Sequence, residues 1–209
     1  MAKDDITKSF KFIGTRPNRP DGFEKVTGRA KYGADISAVG MLHGAVLRSP
    51  YAHARIKSIN FEKAAKLDGV KAIITRDDFP KDREGEPLKL LENTIAGEIA
   101  YYDGHAIAAV AATSVFTAKE ALKEIEVEYE VLPHVIDVDE AMKPDAPIVR
   151  ENAGDFSVPE GSSPNVASCI EFGRGDLANG FNKADIVKSG LFKTEAAHQG
   201  YIEPHACMA

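Results

Sequence analysis

Cysteine is scarce in this chain of 209 residues: only Cys169 and Cys207 occur. Two thiols so far apart suit a reducing compartment better than a disulfide framework. They also cannot ligate an ordinary four-cysteine iron–sulfur cluster. Long apolar runs are missing as well, and none approaches the ~20 residues that a membrane-spanning helix needs. The opening Met1 to Asp5 lacks the apolar stretch of a signal peptide, so the expected location is cytoplasmic. Neither charge sign is concentrated: 26 Lys and Arg stand against 32 Asp and Glu, a net −6. Without a basic stripe to follow a phosphate backbone, a nucleic-acid role is not supported.

What is present suits a packed protein. Hydrophobic residues make up 44% of the chain, close to the globular average, and the length allows one large domain or two small ones. Residues 1–21 are read as an extended arm, because Pro17, Pro20 and Gly22 oppose both helix and central strand. Strands are expected over Met41–Leu47, Ala54–Ile59 and Val70–Thr75, with a short helix over Phe61–Leu67 and a surface loop over Lys81–Lys89. Ala106–Ala112 is an unbroken apolar run, predicted to be a strand buried on both faces. Ser114 offers an N-cap to a helix carrying Val115, Ala118, Ala121, Leu122 and Ile125. The period then changes to two. Ile125, Val127, Tyr129 and Val131 alternate with Glu124, Glu126, Glu128 and Glu130, which predicts a strand with one solvated acidic face.

Four prolines between Met142 and Pro164 mark a linker. Beyond it, Asp176 is a candidate N-cap for a short helix at Leu177–Phe181, and strands are expected over Asp185–Phe192 and Tyr201–Ala209. The final run, His198 to Ala209, packs ionisable groups into a strand-like segment without a cap. Natural termini are usually frayed and polar, so this one reads as the middle of a buried element and the chain as the front part of a larger protein.

No catalytic constellation emerges from the residues themselves. His198, Glu203 and His205 have metal-ligand chemistry, but Pro204 and the spacing fit no standard site, so satisfied polar side chains lead. Gly173-Arg174-Gly175-Asp176 lacks the third glycine and the strand–helix setting of a dinucleotide loop. Ser49 with His53 suggests a nucleophile and base, yet no G-x-S-x-G elbow surrounds the serine.

Three stretches in one consistent order carry a resemblance. Arg19-Pro20-Asp21-Gly22 with Lys25 to Asp35, then Leu42 to Ile56, then Gly104 to Ala112 with Tyr129-Glu130-Val131-Leu132-Pro133 following, are similar to signatures of the molybdopterin-binding large subunits of the xanthine dehydrogenase and aldehyde oxidase family. The resemblance implies an α+β (mixed α/β) chain: an a/b hammerhead domain over 22–141, a linker over 142–164, and over 165–209 the incomplete start of a molybdenum-cofactor-binding domain. It implies an oxidoreductase of the molybdenum hydroxylase class, inactive as this chain alone, and places Gln199 and Glu203 near the molybdenum–molybdopterin cofactor. No catalytic residue or protein-ligated metal is expected here, because the family's general-base glutamate lies further downstream. [2Fe-2S] clusters and FAD are implied on partner iron–sulfur and flavin subunits, in a dimer of heterotrimers. The alternative is a freestanding hammerhead module that binds or assembles without catalysis.

Overall fold

A computed structural model describes residues 11–80, 86–150, 158, 161–201 and 203–209. The chain divides into two compact units. One comprises residues 1–39 with 190–209, and the other runs from Gly40 to Ser189.

In the first unit the proline-bearing segment turns into a short helix, α1 (Gly22–Val26). Asp21 anchors its start by pairing with Arg19 at 2.9 Å and with Lys25 at 2.9 Å. The Arg19 guanidinium, and then Lys25, hold the Asp21 carboxyl well below the usual carboxylate range. The helix begins just after the predicted arm and follows from this local chemistry: Pro20 lies outside the helix, where its missing N–H costs nothing.

The second unit holds two three-stranded antiparallel sheets. Strands β1 (His43–Arg48), β2 (Ala54–Asn60) and β3 (Val70–Ile74) come first, with α2 (Glu62–Ala65) between the last two. Helix α3 (Glu86–Thr94), β4 (Ile99–Ala100), β5 (Ala106–Ala112), α4 (Val115–Lys123), β6 (Glu126–Val131), α5 (Val138–Ala141) and α6 (Leu177–Lys183) follow. The strand order is β1-β5-β3 in one sheet and β4-β2-β6 in the other.

β5 is the organising strand. Its sequence is almost all alanine and β-branched, so neighbours approach closely. Ala108, Val110 and Ala112 are buried on the face covered by α4, where Ala118 and Ala121 are also buried. Helix α4 begins as its sequence predicts, with Ser114 Oγ accepting the Thr117 N–H at 3.0 Å. Ile107, at the register shift between β1 and β5, is fully buried against Ala96 and Ala100. Leu47, Ile59 and Val127 pack into both clusters, which makes the core between the sheets continuous.

Ala109 and Ala111 are only half-buried, which corrects the expectation of a strand buried on both faces. Register places them beside Gly44, Val46, Ala72 and Ile74 on an uncharged face. The acidic alternation on β6 behaves as expected for a solvated face. Glu130 pairs with Lys57 at 3.3 Å and Arg55 at 3.7 Å, and Glu126 pairs with Lys63 at 2.6 Å.

Three further expectations need correction. Residues 86–89 of the predicted surface loop belong to α3, since Pro87 falls in the first helical turn, where proline is tolerated; residues 81–85 lie outside the described residues. Asp185–Phe192 forms no strand, and neither do the described residues of Tyr201–Ala209. Among the described residues no neighbouring strand pairs with these segments, and pairing is what makes a strand. The short β4, by contrast, had no sequence signal: two residues give no period, and only its pairing with Ala54 and Arg55 defines it.

The proline-rich stretch after α5 is partly clamped. Asn165 Nδ2 donates to the carbonyls of Ala141 at 3.2 Å and Pro147 at 3.0 Å, while its Oδ1 accepts the Val149 N–H at 3.1 Å. Ser163 Oγ adds a bond to the Ala141 carbonyl at 2.9 Å. Residues 151–157, 159 and 160 of the expected linker lie outside the described residues.

Candidate functional site

The two residues singled out in the sequence, Gln199 and Glu203, lie in the first unit. Their surroundings begin with a single turn of 3-10 helix at Gly33–Asp35, closed by the Tyr32 N–H donating to Asp35 Oδ2 at 3.0 Å. This turn leaves the Gly33 N–H free to donate to Glu203 Oε1 at 3.3 Å. A Cβ at position 33 would sit 3.5 Å from Ala206, ordinary contact, so the glycine is not sterically required. Gly200 is different: at φ +69° it adopts the left-handed conformation that turns the chain between His198 and Tyr201.

Around that turn the side chains form a polar strip. His198 Nδ1 accepts the Gly200 N–H at 3.1 Å, and the Tyr201 hydroxyl hydrogen-bonds His205 Nε2. The Tyr201 ring lies 5.6 Å from His198 and 5.1 Å from His205. Gln199 is exposed beside them. The structure thus secures Glu203 to the 3-10 turn, and no hydrogen bond joins Gln199 to Glu203. Among the described residues no group of three or more His, Cys, Asp or Glu is placed to hold a metal ion.

An amide, a carboxylate and a hydroxyl can exchange hydrogen bonds with the ring N–H and carbonyl groups of a pterin. The strip is nevertheless open: every described residue from His198 to Ala209 is exposed. Among the described residues, the only buried side-chain polar atoms without partners are in the other unit. These residues therefore do not enclose a cofactor by themselves.

The second unit has a more tightly built polar cluster where its two sheets meet. Ser49 is bonded to the turn through both main-chain groups: its N–H donates to the His105 carbonyl and its carbonyl accepts the Gly104 N–H, both at 2.8 Å. Arg48 donates to the Gly104 carbonyl at 2.8 Å. The His105 ring stacks on Tyr102 with centroids 4.3 Å apart, and the Tyr102 hydroxyl donates to the Asn93 carbonyl. Tyr101 lies between His53 and His105, at 6.3 and 6.2 Å, and carries the Arg150 guanidinium 4.1 Å from its centroid. Burial pushes the Tyr101 phenol up. Beside it is an open cavity of about 370 Å³ lined by Arg76, Glu92, Glu98, Ile99 and Tyr101, among others.

Ser49 and His53 do not form a nucleophile–base pair. Ser49 Oγ donates to the Tyr51 carbonyl at 3.0 Å and accepts the Tyr51 N–H at 3.1 Å. His53 Nδ1 is engaged by the Pro133 carbonyl at 2.7 Å. Reasoning from sequence missed the grouping of His53, Tyr101 and His105. Isolated histidines carry no periodic signal, and only the pairing of β4 with β2 brings them together.

Residues 27–133 match the family model described as "Aldehyde oxidase and xanthine dehydrogenase, a/b hammerhead domain". The chain belongs to that family. The hammerhead chain is 35% identical to a probable xanthine dehydrogenase subunit of Bacillus subtilis, over 91% of this chain and 24% of the relative. It is 34% identical to the nicotinate dehydrogenase large molybdopterin subunit of Eubacterium barkeri, over 95% of this chain and 44% of the relative. Among solved structures, the aldehyde oxidoreductase of Desulfovibrio gigas superposes with a TM-score of 0.61 at 28% identity, covering 80% of this chain and 19% of that one. The relatives are thus named as oxidoreductases, two of them as subunits, and the hammerhead chain spans a quarter to less than half of the lengths of those two. Among the described residues no helix is long and apolar enough to cross a membrane.

Proposed function

We propose that this chain is the N-terminal part of the molybdopterin-binding subunit of a molybdenum hydroxylase and does not turn over substrate alone. The observation that carries the reading is its co-linear likeness, over 95% of its residues, to a relative named as a large molybdopterin subunit. The hammerhead at 22–141 serves as scaffold, and residues 165–209 begin the cofactor domain. In that domain Gln199 and Glu203 would line one wall of the cofactor site, Gln199 as an amide donor and Glu203 as an acceptor held by the Gly33 N–H. The cofactor would supply the redox chemistry of hydroxylation, and electrons would leave to [2Fe-2S] and FAD subunits in a dimer of heterotrimers in the cytoplasm. The open strip at His198–Ala209 supports this division of labour, because it offers polar donors and acceptors without walls.

The purified 209-residue chain tests the proposal through its molybdenum and pterin content. Far less than one cofactor per chain is expected, and tight one-to-one binding would overturn the claim of incompleteness. A second reading, a freestanding hammerhead module, is favoured by one observation: the core around Ile107 closes without help from residues beyond Tyr129. The codons after Ala209 separate the two, a stop favouring the module and continued cofactor motifs the enzyme.

A further inference from the structure

Two buried ring nitrogens in the hammerhead, His53 Nε2 and His105 Nε2, have no hydrogen-bond partner. Their tautomers differ. A carbonyl can only accept, so the Pro133 carbonyl fixes a proton on His53 Nδ1, and in the neutral ring the lone pair is on Nε2. At His105 the roles reverse: Nδ1 accepts the Tyr101 N–H at 3.2 Å, so the neutral ring carries its proton on Nε2.

His105 is 0% exposed and occupies the turn that joins β4 of one sheet to β5 of the other. A second proton could enter only at Nδ1. It would abolish the bond from Tyr101 and place a cation in a site without a carboxylate partner. The Tyr101–Gly104 turn also holds the end of β1, through Ser49 and Arg48. β4 contributes only two paired residues; beside the turn, that side is held by the Ile56 N–H on the Glu98 carbonyl at 2.8 Å, the Ala96 N–H on the Ala106 carbonyl at 2.7 Å and the packing of Ala100 on Ile107.

We propose that His105 is an acid-sensitive pin: its protonation opens the joint between the two sheets by detaching β4 and the Tyr101–Gly104 turn while β5 and α4 stay folded. The groups bearing on its charge come from each neighbouring element. Burial disfavours the cation most. The main-chain carbonyl of Glu92 on α3, which makes no well-formed hydrogen bond to the ring, favours it, and the Arg150 guanidinium opposes it. Arg48 on β1 is committed to the Gly104 carbonyl, Asp103 belongs to the same turn, Tyr101 and Tyr102 flank the ring, and His53 lies across Tyr101. The folded ring therefore resists protonation below the ordinary histidine value of about 6.5. Above that value both folded and open states are neutral, and the pin holds fully. Below it the open state takes up a proton that the closed state refuses, and closure weakens as pH falls.

The test is hydrogen exchange on the whole 209-residue chain, expressed as protection factors at pH 7 and pH 5. Protection at Tyr101 should fall at least tenfold, with Val110 and Ala121 unchanged. His105→Asn keeps an acceptor near the Nδ1 position but cannot ionise, and its Tyr101 protection should be equal at both pH values. Equal protection in the unmodified chain, or the same fall in H105N, would overturn the proposal. If H105N does not fold, the ring nitrogens of the unmodified chain decide by NMR. A neutral Nε2–H tautomer that persists below pH 6.5 and disappears together with Tyr101 protection supports the pin; titration at 6.5 or above with the Tyr101 amide still protected refutes it.

Discussion

The β5 region and the segment after Asn165 use the same residue types with opposite results. On β5, Ala108, Ala112, Ile107 and Val110 are almost wholly removed from water. After Asn165, Ile170, Phe172, Leu177, Phe181, Leu191 and Phe192 remain exposed, Phe192 at 93%. Apolar content does not separate the two; partners do. β5 has a strand on each side and a helix above it, whereas the later segment has one short helix and joins no ladder among the described residues. Burial of a large aliphatic side chain is worth about 1.5–3 kcal/mol, and that gain is realised only where neighbouring elements supply the other surface.

The strongest way to break this comparison is to substitute both regions alike. Ile107→Ala should cost about 2–5 kcal/mol in chemical denaturation, through lost transfer energy and a cavity, while Leu191→Ala should change stability by less than about 0.5 kcal/mol. Equal effects would mean that the later segment is packed in solution. Gly69→Ala is next. Gly69 has φ +89°, and a Cβ there would meet Thr113 Oγ1 at 2.6 Å, so a loss of more than about 1 kcal/mol is expected. Thr113→Ala in the same chain should recover part of it by removing the clash but not the strain.

Two helix caps sharpen the contrast further. Ser114 and Asp176 cap alike, each accepting an N–H three residues on. Ser114→Ala should lower global stability by about 1 kcal/mol, because α4 covers the core. Asp176→Ala should leave the main unfolding transition in place and only fray α6, as circular dichroism at low denaturant would register. Truncation after residue 168 should raise solubility with the melting temperature unchanged, since it removes exposed apolar side chains and keeps the Asn165 clamp. Cutting at residue 150 instead should lower that temperature. The smallest effect concerns α1. Its Asp21 pairs hold the carboxyl below its ordinary value, so their contribution is complete above about pH 4. It is lost as pH falls through the depressed value, and amide shifts of residues 22–26 would follow it.

Much of the hammerhead was legible because its signals are periodic and local. The alternation on β6, the apolar run of β5 and the caps at Ser114 and Asp176 each need only a few neighbouring residues, and each appears within a residue or two of its expected bounds. The misses share one cause. Asp185–Phe192 looks like a strand but has no strand partner among the described residues, β4 is a strand too short to look like one, and Ala109 is apolar on a face that is only half-buried.

The same division holds at the candidate sites. The order of motifs from Arg19 to Pro133 assigned the family, because each motif is contiguous and its identity does not depend on what lies across the fold. Glu203 could be singled out by likeness, but its anchoring to the Gly33 N–H required the chain to return upon itself. His53, Tyr101 and His105 left no trace as a group. Side-chain chemistry and backbone propensity are written residue by residue in the sequence. Burial, tautomer and unmet hydrogen bonds belong to pairs of residues, and only the tertiary structure brings those pairs into contact.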